Sequence, residues 1–103
     1  MDNYMIVKQR VSNLAQFQAA FDELKPMRER YGLRDIGQYR CADEPDTVIV
    51  IMEVADLARA KEYWHSDALA QGRKKAGALG PLLAGVDQVW LTDGPVRATL
   101  DRV

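Results

Sequence analysis

The runs Tyr4-Met5-Ile6-Val7 and Val48-Ile49-Val50-Ile51-Met52 are apolar at odd and even positions alike. Successive side chains of an extended strand point to opposite faces, so both faces of these two strands must be kept from water. Elsewhere the pattern is one-sided. Leu14, Phe17, Phe21 and Leu24 fall at helical spacing behind Ser12-Asn13, which suits an N-terminal cap. Pro26 has no amide donor, so the spacing predicts a kink or an irregular last turn before Gly32 ends this helix. Leu33 to Cys41 reads as the second strand. The turn formers Ala42-Asp43-Glu44-Pro45-Asp46 separate it from a third, Thr47 to Val54, and predict a hairpin with a longer loop. Asp56 caps a helix from Leu57 to about His65, and Ser66 is placed to cap a further turn from Asp67. Gly77, Gly80, Pro81 and Gly85 mark a loop, Val86 to Thr92 reads as the last strand, and Gly94-Pro95 closes it.

The expected order is β-α-β-β-α-β, an α+β chain with a ferredoxin-like antiparallel sheet whose first and third strands are the central pair. These are the two strands with no polar face. The helical segments can cover one side of such a sheet, so a second copy of the chain is expected on the other. Residues 1–94 form the expected domain, and 95–103 a mixed polar tail without a period.

At 103 residues the chain is one domain, small enough that folding alone buries only about 60 to 70% of its unfolded surface. Lys and Arg total 14 against 15 Asp and Glu, which gives no basic excess for a phosphate backbone or an anionic bilayer. Neither nucleic acid nor membrane is expected as a partner. The first apolar run ends at Lys8, far short of a signal-peptide core or a roughly 20-residue membrane span, and the expected location is the cytoplasm. Cys41 is the one cysteine and His65 the one histidine, so neither an intrachain disulfide nor a Cys/His metal cluster can form. No metal site is expected.

The run Ala60-Lys61-Glu62-Tyr63-Trp64-His65-Ser66-Asp67-Ala68-Leu69, followed by Lys75-Ala76-Gly77-Ala78-Leu79-Gly80, resembles the second-helix region of antibiotic-biosynthesis-monooxygenase-like proteins. The hairpin Cys41 to Val48 and Phe21-Asp22-Glu23 are similar to the same family, and the likeness extends over about Tyr4 to Gly94. The resemblance implies the dimeric α/β barrel, in which two ferredoxin-like subunits appose their sheets and each keeps a pocket between its helices and its sheet. It further implies a cofactor-independent monooxygenase or cyclase of specialised metabolism, acting on a planar, hydrophobic, phenolic or enolisable molecule. A homodimer that binds a small molecule or serves as an accessory protein, without catalysis, is the competing reading. Haem-degrading members pair a pocket tryptophan with an axial histidine farther along the chain. Here His65 follows Trp64 directly, and helical neighbours diverge by about 100°, so haem chemistry is not expected.

Within that frame His65, whose residue type ordinarily titrates near neutrality, is the candidate general base, where the family pattern often has a small residue. A histidine ending a helix is also explained by the helix dipole alone. Arg40 is the candidate for holding an enolate or phenolate, although an edge-strand arginine is ordinarily a solvated charge. By alternation Arg34 and Arg40 share a face with Ile36 and Gln38, while Asp35, Tyr39 and Cys41 point the other way. Trp64, seven residues after Leu57 on one helical face, and Trp90 in the last strand are candidate walls for a planar ligand. Tyr39 and Tyr63 are candidate binding residues that packing would equally explain. Arg73-Lys74-Lys75 reads as a solvated helix end, and Cys41 as a buried structural thiol.

Overall fold

The computed structural model describes residues 3–75 and 88–94, with Gln88 by its backbone only. The elements are β1 (Tyr4–Arg10), α1 (Leu14–Glu23), α2 (Lys25–Arg30), β2 (Leu33–Cys41), β3 (Glu44–Val54), α3 (Leu57–Trp64), α4 (Asp67–Lys75) and β4 (Gln88–Leu91). The strands form one sheet in the order β2-β3-β1-β4, antiparallel throughout. The two strands without a polar face are therefore the central pair, as expected. Both expected helices are divided. Asn13 caps α1 by accepting from the Gln16 amide at 2.9 Å, and the helix stops at Glu23 because Pro26 can offer no amide to the preceding turn. Pro26 then occupies the first turn of α2, where that missing donor is harmless. Gly32, at φ +77°, turns the chain into β2, in a left-handed conformation that a side chain would strain. Asp56 caps α3, accepting from the Arg59 amide at 3.2 Å. Ser66 joins α3 to α4, its hydroxyl donating to the Tyr63 carbonyl at 2.7 Å and accepting from the Leu69 amide at 3.2 Å.

The hairpin is tighter than expected. β3 begins at Glu44, leaving only Ala42 and Asp43 in the turn. Glu44, Pro45 and Asp46 are turn-forming types, yet Glu44 pairs with Cys41, its carboxylate takes Lys8 Nζ at 3.2 Å, and the Asp46 carbonyl accepts the Val11 amide at 2.8 Å. Pro45 sits where the β2–β3 register slips between Arg40 and Cys41, a place that needs no donor. β2 holds a second irregularity at Ile36, between Asp35 opposite Met52 and Gly37 opposite Ile51. One extra residue reverses the alternation beyond it. Arg34, opposite Glu53, and Arg40, opposite Val48, consequently lie on different faces. The expected common face for Arg34 and Arg40 is thereby corrected, and so is the pairing of Asp35 with Tyr39. The residues expected to form the loop from Gly77 to Gly85, the start of the last strand at Val86 and the tail from 95 lie outside the described residues.

The core lies between the sheet and the helices, built from Met5, Val7, Val48, Val50, Met52 and Val54 of the central strands with Phe17, Ala20, Ala60, Tyr63 and Leu69 of the helices. On the other face Ile6, Ile49 and Ile51 are half-buried, and Ile36, Tyr39 and Trp90 are exposed.

Candidate functional site

The largely apolar cavity between helices and sheet has Val7, Gln9, Val50 and Met52 as its floor. Phe17, Ala20, Phe21 and Leu24 form one wall, while Tyr63, Trp64, Leu69, Gly72 and Arg73 form the other, with Arg28 at one end. Its enclosed space measures about 50 Å³. A second groove between α1 and α4 shares Ala20, Leu24 and Gly72 with the cavity, so those three residues form the partition. The partition is thin because residue 72 is glycine: a Cβ there would stand 2.5 Å from Leu24 Cδ1.

Besides Arg73, two polar features break the apolar lining. Arg28 is 2% exposed, and its guanidinium forks onto Asp35, Nε to Oδ1 and Nη2 to Oδ2 at 2.8 Å each. Nη1 donates to the Phe21 carbonyl at 2.6 Å, and the cation lies 3.6 Å above the Phe21 ring centroid. A buried charge held by a bidentate partner, a carbonyl and a ring face is satisfied in position. Tyr63 packs beside it, and burial pushes its phenol above the ordinary 10.0; positive charge and hydrogen bonding from Arg28 oppose that rise, and Asp35 adds to it. The second feature is a pair of nitrogens. Gln9 Nε2 and Trp64 Nε1 are both buried and without a hydrogen-bond partner among the described residues.

Of the candidate residues, the structure brings Tyr63 and Trp64 to this cavity. His65 is exposed at the end of α3 and is not part of the lining. Arg40 is exposed on β2, and Tyr39, 54% exposed, lies on the open face with its ring over Gly37. Trp90 is 47% exposed opposite Ile6. The two tryptophans therefore stand on opposite sides of the sheet and do not enclose one ligand within a subunit. Gln9, Arg28 and Asp35 escaped the sequence reading. The sign for Gln9 was available, because it continues the alternation Met5, Val7 onto the helix-facing side. The Arg28–Asp35 pair carries no local sign, since its members come from α2 and β2.

No protein-family model and no curated protein matches the chain. Solved structures do. The protein named as an antibiotic biosynthesis monooxygenase from Bordetella bronchiseptica superposes with a TM-score of 0.69 at 14% identity, over 93% of this chain and 100% of that one. SnoaB, a cofactor-independent oxygenase from Streptomyces nogalater solved as a point mutant, gives 0.64 at 16% identity over 99% and 100%. A NIPSNAP-family protein of unknown function from Agrobacterium tumefaciens gives 0.62 at 14% identity over 95% and 91%. Identities this low speak for the fold, which carries more than one function. The chain has a ferredoxin-like α+β fold, shared with solved proteins named as antibiotic biosynthesis monooxygenases.

Proposed function

We propose that this protein is a homodimeric, cofactor-independent oxygenase-type enzyme whose substrate is a compact, planar, phenolic or enolisable molecule held between helices and sheet. The observation that carries the reading is the cavity walled by Trp64 and Tyr63, in a fold shared with a cofactor-independent oxygenase. A substrate carbon acidified by a neighbouring carbonyl loses a proton, and the carbanion reacts with dioxygen. Over the whole reaction a CH2 group and O2 give a C=O group and water, with the substrate supplying the electrons. Cyclisation differs only in that the carbanion attacks a carbonyl of the same molecule. His65 acts as base only toward a part of the substrate that reaches past Trp64, and Arg40 belongs to such a site only if the substrate extends beyond the cavity, whereas Tyr39, on the open face of the sheet, is not proposed for it.

Binding without catalysis is the second reading, favoured by the narrow innermost space, well under the several hundred Å³ of common ligand sites, and by a histidine outside it. Oxygen uptake with a panel of phenolic and enolisable substrates separates the two. The enzyme reading expects uptake that Trp64→Ala lowers at least about tenfold, a loss of about 1.4 kcal/mol or more in transition-state stabilisation. Uptake at the rate of the protein-free solution across the panel would leave the binding reading. Unchanged uptake in His65→Ala would remove that residue from the mechanism.

A further inference from the structure

We propose that Gln9 is the polar recognition residue of the cavity and that, with Trp64, it selects ligands presenting a carbonyl-type oxygen. This rests on the ligand-binding reading above and adds the chemistry of the ligand to it. Gln9 is 5% exposed on β1, opposite Val48 and on the same face as Val7, both buried and apolar. An amide in such a place destabilises the fold unless something bonds to it. Nothing described does so at Nε2, and the same holds for Trp64 Nε1, which comes from α3 rather than from the sheet. An indole nitrogen is a donor and never an acceptor, so the group that satisfies it must accept.

The deeply buried cation, Arg28, is already engaged, because Asp35 holds it on two edges. The floor and wall thus present two neutral donors, with Arg73 bordering the cavity beside Trp64. A hydrocarbon entering the cavity leaves both donors dry and unpaired. A ketone or quinone oxygen supplies the acceptor that either donor lacks, while the rest of the molecule packs on the apolar Phe17, Phe21 and Leu24 wall. The same donors grow stronger partners for that oxygen as it gains negative charge on enolisation.

The test is a matched pair of one-ring probes, acetophenone and ethylbenzene, titrated into the full-length protein and followed by ligand-observed NMR. Wild type is expected to bind the ketone at least about tenfold more tightly. Gln9→Leu, close in volume, is expected to shrink that preference about fivefold or more, the worth of roughly one hydrogen bond, without weakening ethylbenzene; Trp64→Phe should act in the same direction. Gln9→Met serves if the leucine variant does not fold. Equal affinity for the two probes in wild type, or a preference that survives the Gln9 substitution, overturns the role of Gln9 while leaving a binding cavity in place. Failure of both probes to bind overturns the inference together with the reading beneath it.

Discussion

The two faces of the sheet are made by alternate residues of the same strands, yet they solve different problems. On the helix face Met5, Val7, Val50 and Met52 are buried within the subunit. On the open face their neighbours Ile6, Ile49 and Ile51 are covered only in part, and Trp90, Tyr39 and Ile36 are exposed. Each face also carries one arginine–carboxylate pair. Arg28–Asp35 is deep, with an arginine side chain 2% exposed, whereas Arg34–Glu53 has its arginine 75% exposed. The difference separates a face whose interactions are completed within the chain from one whose apolar residues are left partly uncovered. We infer that a second copy of the chain covers the open face, a reading its exposed and half-buried apolar residues support.

The sharpest way to break this contrast is to delete the two arginines in turn. Arg28→Ala is expected to cost about 2–5 kcal/mol, since it removes the buried side chain that bonds Asp35 and the Phe21 carbonyl and opens space against Phe21. Arg34→Ala should cost no more than about 1 kcal/mol; chemical denaturation compares them, and equal losses would abolish the distinction between the faces. Next comes a pair of adjacent residues on β3. Met52→Ala is expected to lose about 2–5 kcal/mol of stability by leaving a cavity. Ile51→Lys should leave the protomer folded but shift its mass in light scattering from two chains to one. A wild-type protein of single-chain mass at micromolar concentration would remove the proposed dimer outright.

The smallest effect concerns pH. Because the Tyr63 phenol is raised above 10.0 in the folded chain, the unfolded chain gives up its proton first as the solution becomes alkaline. Stability is therefore unaffected below about pH 10 and falls as the pH climbs from there toward the folded value. Tyr63→Phe should flatten that decline in melting experiments, and an unchanged alkaline limb would show that this hydroxyl is not withheld from solvent.

Much of this architecture was legible in the chain. Continuous apolar runs identified the central strands, Pro26 the break between α1 and α2, and Ser66 the junction of α3 with α4, because each acts through bonds to its own neighbours. The parity of β2 was not legible. The bulge at Ile36 has only the adjacent Gly37 as its sign, and a glycine within a strand does not fix the register, yet one inserted residue separates Arg34 from Arg40 and turns Tyr39 to the open face. The hairpin departs from expectation for a related reason, since turn-forming types describe a preference and the Lys8–Glu44 and Val11–Asp46 bonds override it. At the site, Trp64 and Tyr63 were recognisable by type. Gln9 is masked by the charged Lys8 and Arg10 on either side, although its place in the alternation sets it among buried valines.

The broken first helix has one more effect. In an unbroken helix the Phe21 carbonyl would be committed to the amide four residues on. Here it takes the Leu24 amide at 3.2 Å and still receives Arg28 Nη1 at 2.6 Å. A proline that looks like a flaw in the packing thus licenses an interior cation: the irregular turn supplies the oxygen that lets the protein keep a full positive charge under its helices.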